Sequence, residues 1–168
     1  MACIFVQATY IIVPLFLTLN DFHMIDSRIS LSLIYAVFQF PFSIFLLTGY
    51  MKAIPNDYQQ AAMIDGCSYF MILSKIIIPI AKPGIITVSM LAAMSFWNEY
   101  PQALTFITTE SKRTLPVGLA NLFEVQRYAT DWGALFAALV IILVPTLILF
   151  VIGQKKLTQG MSIGGLKG

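Results

Sequence analysis

Long apolar stretches separated by polar segments dominate the chain. Four long runs contain no Asp, Glu, Lys or Arg, and they cover residues 1–20, 29–51, 83–98 and 132–154. A bilayer has a hydrocarbon core about 30 Å thick, and about 20 helical residues are needed to cross it. The pattern therefore predicts an all-α polytopic membrane protein. A single transmembrane domain over residues 1–168 would contain four spanning helices, at about 1–20, 29–51, 83–107 and 132–154.

A polar segment, residues 52–82, lies between the second and third predicted spans and has a helical pattern of its own. Pro55 ends the second span, and Asn56 or Asp57 can cap a short helix. The small or apolar residues predicted to share one face of this helix are Tyr58, Ala61 and Ala62. A helix about 15 Å long with small side chains suits docking into a groove on a partner protein. The alternative is an amphipathic loop that rests on the lipid surface.

A turn and a second helix are predicted to complete the polar segment. Gly66 stands where the first helix must stop through a left-handed residue. Ser68 can cap a second, apolar helix, and Pro79 is predicted to interrupt it before the chain re-enters the membrane at Pro83. The segment is therefore predicted to form a helix, a turn and an interfacial helix.

The composition leaves no room for a separate soluble domain of ordinary size. Of the 168 residues, 58% are apolar and 11% are charged. A net charge of +2 and the lack of a basic run argue against a nucleic-acid partner. Cys3 lies in a predicted span and Cys67 in the polar segment, so we expect no disulfide between them.

Positive residues are distributed unevenly between the two sides of the predicted spans. The segment 52–82 and the tail 155–168 together hold six Lys and Arg residues, against four on the other side. Short loops rich in Lys and Arg remain in the cytoplasm. We therefore expect the polar segment and the C-terminal tail to be cytoplasmic, and residues 108–131 to form the long external loop.

The most polar point near a span is the sequence Trp97-Asn98-Glu99-Tyr100. Asn98 lies roughly 22 Å along a helix that begins at Pro83, beyond the midplane of a bilayer. Asn98 and Glu99 are therefore candidates for a polar path through the membrane. The alternative is an aromatic belt at the membrane surface with a carboxylate that reaches the water.

The chain has no residues arranged for catalysis. It lacks a Ser, His and Asp constellation, paired carboxylates and a Gly-rich phosphate loop. His23 has no second His, Cys or carboxylate at metal-ligand spacing. We therefore expect no catalytic residue, no cofactor and no metal site.

Several motifs resemble those of the permease subunits of binding-protein-dependent ATP-binding cassette importers. In the polar segment the motifs are Ile54-Pro55, Gln60-Ala61-Ala62, Ile64-Asp65-Gly66, Ile76 to Pro79 and Pro83. Three further motifs resemble those of the carbohydrate-importing branch of this family, of the maltose permease second-subunit type. They are Trp97-Asn98-Glu99, Lys112 to Leu119 and Gln159 to Gly168. The resemblance covers nearly the whole chain.

The resemblance implies a function and a set of partners. The polar segment would be the coupling helix that fits a cleft of a cytosolic ATPase subunit, through Asp57, Gln60, Ala61, Ala62, Asp65 and Gly66. The chain would work with a second permease subunit, two ATP-binding cassette ATPase subunits and an extracytoplasmic solute-binding protein. It would be a multi-pass protein of the cytoplasmic membrane of a prokaryote, and ATP hydrolysis would take place on the partner.

The chain differs from the family pattern in two ways. Gln60 stands where the family has a glutamate, although Asp57 and Asp65 keep negative charge nearby. The four predicted spans match the last four of about six. We therefore expect a C-terminal fragment or a mispredicted start of a longer permease. The alternatives are a non-transporting remnant or membrane scaffold, and a permease for another solute such as glycerol phosphate.

Overall fold

Helices joined by short turns and loops make up the part of the chain that the structure describes, and no strand occurs in that part. The computed structural model describes the backbone of residues 8–125 and 131–165, and the side chains of residues 9–123 and 131–154. The α-helices are α1 (Ala8–Asp21), α2 (Arg28–Lys52), α3 (Asp57–Ile64), α4 (Tyr69–Ile72), α5 (Ile78–Trp97), α6 (Pro101–Phe106), α7 (Leu115–Val125) and α8 (Trp132–Gly165). A π-helical turn, Leu73–Ile77, joins α4 to α5, and a 3-10 turn, Glu110–Lys112, precedes α7.

Three of the described helical stretches are long and apolar enough to cross a membrane. They are Arg28–Lys52, Tyr69–Trp97 and Trp132–Gln154, with mean hydropathies of 1.8, 1.8 and 3.1. A shorter apolar helix covers Thr9–Asp21, and the start of the first predicted span lies outside the described residues. The prediction of an all-α polytopic fold is confirmed.

The third predicted span differs from the observed helix at both ends. The prediction that Pro79 interrupts the second helix of the polar segment is wrong, because the helical stretch continues from Tyr69 to Trp97. In the π-helical turn the N–H of Ile78 donates to the carbonyl of Leu73, five residues earlier. This change of register comes directly before Pro79. Although Pro79 has no N–H to donate, the helix therefore continues through it. At the other end, the helix stops at Trp97, and α6 is a separate element.

The predicted external loop and the predicted tail also contain more helix than expected. The external loop, predicted over residues 108–131, includes the 3-10 turn and α7. Helix α8 continues to Gly165, beyond the predicted start of the tail at residue 155.

One of the two compact units comprises residues 1–41 and 93–149. Helix α1 packs on α6 in this unit, where the ring centroids of Phe16 and Phe106 are 6.3 Å apart. The buried residues of its hydrophobic core are Leu31, Ile34, Ala103, Phe106, Ile107 and Val117. Residues from α2, α6 and α7 thus share one core.

The other unit comprises residues 42–92 and 150–168. Tyr50 in α2 packs against the backbone of α5 at Gly84, where a Cβ atom would come within 2.6 Å of the tyrosine ring. Only glycine permits so close an approach. A small cluster of Ala62, Ile72 and Ile77 is also buried in this unit, and it joins α3 to the helical stretch that follows.

Candidate functional site

Helix α3 exposes most of the side chains predicted for coupling to a partner. Asp57, Gln60, Ala61 and Asp65 are all exposed. Neither Asp57 nor Asp65 forms an ion pair within the described residues. Their negative charges are therefore available to a partner protein. The side chain of Asn56, at the N-cap position, makes no capping hydrogen bond, and neither does that of Ser68 before α4.

Gly66 ends α3 in the way that the sequence predicts. Its φ of 78° is left-handed. The N–H of Gly66 donates to Met63 at 3.1 Å, and the N–H of Cys67 donates to Ala62 at 3.0 Å. These two hydrogen bonds form a Schellman motif, which satisfies carbonyls at the C-terminus of a helix. The turn fixes the direction in which the chain leaves α3.

The sequence pattern predicts that Ala62 shares one face of the helix with Tyr58 and Ala61. In the structure Ala62 is instead buried, while Tyr58 and Ala61 are exposed. It is 4% exposed and packs against Ile72 and Ile77. A larger side chain at this position would therefore disturb the chain's own packing before it reached a partner. Ala62 holds α3 against the second helix.

Two large apolar side chains on α3, which sequence reasoning did not select for contact, face outward. Met63 is 59% exposed and Ile64 is 86% exposed. Tyr58, on the same helix, is 52% exposed, but positions 58, 63 and 64 point in three different directions around α3 and do not form one surface. The signal in the sequence was the pair of apolar residues at the end of a polar helix. Ile64 lies on the same side of α3 as Gln60 and Ala61, which places one large apolar side chain among the residues predicted for coupling.

Trp97 and Asn98, at the end of α5, contact α8 near its proline. The indole N–H of Trp97 donates to the carbonyl of Ile142 at 3.0 Å. The side-chain amide of Asn98 donates to the carbonyl of Met94 at 2.8 Å and to the hydroxyl of Thr146 at 3.4 Å. The two bonds to α8, at Ile142 and Thr146, lie near Pro145, where that helix lacks one backbone donor. Asn98 itself is exposed, and its role in a solute path stays a prediction.

Glu99, the other candidate for that path, is engaged in three hydrogen bonds. The hydroxyl of Tyr35 donates to Oε2 at 2.7 Å. The N–H of Gln102 donates to Oε1 at 2.7 Å, and the N–H of Ala103 donates to Oε2 at 3.0 Å. Glu99 therefore caps α6 and links it to α2. These bonds were not foreseen from the sequence, and the role of Glu99 in a solute path stays a prediction, as for Asn98.

Asp26 is the centre of a polar network that sequence reasoning missed. Its Oδ1 accepts from the N–H groups of Thr108 and Thr109 at 3.0 and 2.8 Å. Its Oδ2 accepts from the Thr109 hydroxyl and from Lys112 Nζ, both at 2.6 Å. The Lys112 ammonium and the Thr109 hydrogen bonds hold the pKa of the Asp26 carboxyl well below its usual range.

The network ties the chain before α2 to the chain after α6. The Asp26 backbone is left-handed, with a φ of 60°, and its N–H donates to the carbonyl of Phe106 at 2.9 Å. Arg28 donates to the carbonyl of Ser111 at 2.7 Å. No local pattern could have revealed these contacts, because the partners are 80 or more residues apart.

The comparisons with known proteins agree on one family. Residues 2–163 match the family model described as the binding-protein-dependent transport system inner membrane component. The chain is 38% identical over 158 residues to a sulfoquinovosyl glycerol transport system permease protein of Agrobacterium fabrum, covering 94% of this chain and 55% of that protein.

Two further relatives show the same coverage pattern. A diacetylchitobiose uptake system permease protein of Streptomyces coelicolor is 32% identical, over 94% of this chain and 56% of its own length. A trehalose/maltose transport system permease protein of Thermococcus litoralis is 37% identical, over 80% of this chain and 48% of its own length. The chain thus spans about half the length of the curated relatives it matches.

Proposed function

Because the chain belongs to the family of binding-protein-dependent transport system inner membrane components, we propose that it serves as a permease subunit of an ATP-binding cassette importer for a carbohydrate. The relatives described above are named for the transport of a sulfoquinovosyl glycerol, of diacetylchitobiose and of trehalose and maltose. Their shared solute class supports a sugar or sugar derivative as the solute.

The observation that carries the proposal is the shape and surface of α3. The helix is short, it ends in a fixed left-handed turn, and it exposes apolar side chains beside free carboxylates. These features fit a helix that docks into a groove on a cytosolic ATPase. The contacting residues are Asp57, Tyr58, Gln60, Ala61, Ile64 and Asp65, while Ala62 and Gly66 fix the position of the helix.

The coupling mechanism follows from the way α3 is joined to the membrane helix. Ala62 packs on Ile72 and Ile77, so a displacement of α3 also moves the helical stretch that begins at Tyr69. That stretch continues without a break to Trp97 and is long enough to span a membrane. Movement of the ATPase on ATP binding would therefore be passed to a spanning helix, which changes the side of the membrane on which the solute site opens.

The partners in this proposal are a second permease subunit, two ATPase subunits and an extracytoplasmic solute-binding protein. The chain would be a multi-pass protein of the cytoplasmic membrane, with α3 and the C-terminus in the cytoplasm. The transported solute would pass near Asn98, while Glu99 would hold the helices around it.

Cysteine crosslinking tests the proposal most directly. The native Cys3 and Cys67 are replaced by serine, and one new cysteine is introduced at Gln60 on α3. A matched chain has its cysteine at Ser111, which is also exposed but lies in the predicted external loop. In cells with the complete importer, we expect a crosslink to the ATPase from Gln60→Cys and none from Ser111→Cys.

The same pair of variants tests the orientation. A membrane-impermeant thiol reagent added to intact cells should label Ser111→Cys and leave Gln60→Cys unlabelled. Normal solute uptake without a crosslink from position 60 would contradict the coupling role of α3. Labelling of position 60 from outside would contradict the orientation.

A further inference from the structure

Helix α5 contains a single charged residue, Lys82, inside a stretch that is long and apolar enough to cross a membrane. The 20 residues of Ile78–Trp97 form a helix about 30 Å long, which equals the thickness of a hydrocarbon core. Lys82 stands four residues after Ile78, about 6 Å inside that end of the helix. A charged group at such a depth is costly, so the ammonium of Lys82 needs either a partner or access to the membrane surface.

Two more lysines lie near the same end of α5. Lys75 is in the π-helical turn before the helix, and Lys52 is in the last turn of α2. All three lysines are exposed, and none of them forms an ion pair within the described residues. Residues 42–92 hold these three cations against two carboxylates, so positive charge is in excess there. The three ammonium groups are therefore available to an anion from outside the chain.

The helix geometry brings Lys75 and Lys82 to one side of the helical stretch. When the π-helical turn is counted as one extra residue, the two lysines are about a quarter of a turn apart around the axis and roughly 10 Å apart along it. Both are exposed, whereas Ile77, Ala81 and Gly84 are buried. The Cα–Cβ bonds of a helix tilt toward its N-terminus, so the long side chain of Lys82 starts in the direction of Lys75 and of the membrane surface.

Lys52 lies at the same level as Lys82. Tyr50 in α2 packs against Gly84 in α5, and consecutive spanning helices cross a membrane in opposite directions. Lys52 comes two residues after Tyr50, and Lys82 comes two residues before Gly84. The two lysines are therefore on the same side of this contact along the helix axes.

Apolar side chains are exposed directly beside Lys82. Ile78 is 45% exposed and Ile85 is 36% exposed, and each lies within half a turn of Lys82 on the same side of α5. The surface thus presents cations at the boundary of the hydrocarbon core and apolar groups within it. An anionic phospholipid has the same two-part chemistry, a charged headgroup above acyl chains. A carboxylate on another spanning helix would match Lys82 alone and would leave the other two cations unpaired.

We propose that Lys52, Lys75 and Lys82 bind the headgroup phosphate of an anionic phospholipid in the leaflet next to α3. Lys82 extends to the phosphate from within the core, and Lys75 and Lys52 contact it from the surface. The acyl chains lie along Ile78 and Ile85. The bound lipid would also hold the helical stretch on which α3 packs at the membrane surface, and this second role rests on the proposed function.

Glutamine substitutions test the charges without changing the packing, because Lys75 and Lys82 are both exposed. The variants are Lys75→Gln, Lys82→Gln and the double variant. Lys82→Arg keeps the charge and should therefore keep the binding. The matched control is Lys112→Gln, which removes one equal charge from an ammonium that is already paired with Asp26.

The experiment is native mass spectrometry of the purified full chain in detergent. The chain is titrated with phosphatidylglycerol, which is anionic, and with phosphatidylcholine of the same acyl chains, which has no net charge. We expect at least tenfold tighter binding of phosphatidylglycerol. This preference should fall about fivefold in each single glutamine variant, which is the effect of one basic residue at an anionic membrane surface, and should fall further in the double variant. Lys82→Arg and Lys112→Gln should retain it.

Three results would overturn the proposal. They are equal binding of the two lipids by the unmodified chain, an unchanged preference in the double variant, and an equal loss in Lys112→Gln, which would assign the preference to net charge alone. Circular dichroism establishes that each variant is folded.

A further measurement addresses a protein as the occupant. If Lys82→Gln releases the second permease subunit from the complete importer while the lipid preference is unchanged, the partner of Lys82 is a carboxylate of that subunit and the lipid assignment is wrong. The lipid assay contains no ATPase and no binding protein, so failure of the import proposal leaves its result intact. Normal import by a chain without lipid preference overturns only the lipid site.

Discussion

Two pairs of carboxylates in this molecule have opposite surroundings. Glu99 and Asp26 accept hydrogen bonds from several residues of their own chain. Asp57 and Asp65, at the two ends of α3, are exposed and form no ion pair within the described residues. The first pair fixes the helices that it links, and the second pair is available to another protein. Acidic residues of similar appearance in the sequence thus serve internal structure in one region and are left exposed in the other, where recognition of a partner is proposed.

The largest effect is expected from removing Glu99. In Glu99→Ala, the Tyr35 hydroxyl and the N–H groups of Gln102 and Ala103 lose their acceptor. We expect a loss of roughly 3 kcal/mol in the free energy of unfolding, because each such group left unpaired costs about 1–3 kcal/mol when buried. Thermal unfolding in detergent measures the change.

Glu99→Gln is the matched control, since it keeps one acceptor oxygen and should lose less stability. Asp65→Ala should leave the unfolding temperature nearly unchanged. If Glu99→Ala is as stable as the unmodified chain, the internal role of this carboxylate is refuted.

A smaller effect is expected at the turn that follows α3. A valine at Gly66 would be forced into a left-handed backbone, at a cost of about 1–2 kcal/mol. There is open space around a Cβ atom at this position, so the cost comes from the backbone alone. We expect Gly66→Val to reduce crosslinking from position 60 and to reduce uptake by the complete importer.

Gly66→Asn separates the backbone effect from other causes, because asparagine adopts the left-handed conformation more readily. It should retain most of the coupling. Equal losses in the two variants would show that the left-handed turn is not what matters at this position.

The smallest effect is expected at Asp26, because the side chain of its partner Lys112 is 41% exposed and water weakens their attraction. The folded-state pKa of Asp26 lies below its ordinary value of 3.8. A lowered pKa stabilises the fold at a pH above the ordinary value, and this contribution is lost as the pH falls below it. The unfolding temperature should therefore decrease as the pH falls from about 4.

The measurement is a series of thermal unfolding curves between pH 6 and pH 3. Asp26→Asn removes the titrating group, so this variant should lose less stability on acidification than the unmodified chain. Parallel pH curves for the two proteins would assign the acid response to other groups.

The features predicted correctly from the sequence are those set by local chemistry. The apolar runs identified the helical membrane fold, and Gly66 identified the end of α3 because few other residues adopt a left-handed turn. The family motifs directed attention to the coupling segment. Its contacts with an ATPase remain a proposal.

The features that escaped prediction depend on distant contacts or on backbone register. The bond between Asp26 and Lys112 joins residues 86 positions apart. The inward position of Ala62 depends on where Ile72 and Ile77 return to pack. The continuity of the helix through Pro79 depends on a π-helical turn, which has no clear signature in residue type.

That π-helical turn also affects the phase of the helix. An α-helix turns by about 100° per residue, and a π-helical turn acts as a single extra residue in an otherwise regular helix. If Leu73–Ile77 became a regular α-helix at the same length, Ile72 would rotate by about 100° relative to Gly84, whereas deleting one residue from this segment would leave the two faces in phase. The buried face that holds α3 and the face that receives Tyr50 are therefore kept at their observed angle by the wider π-helical turn, which takes up one residue more than a regular helix would.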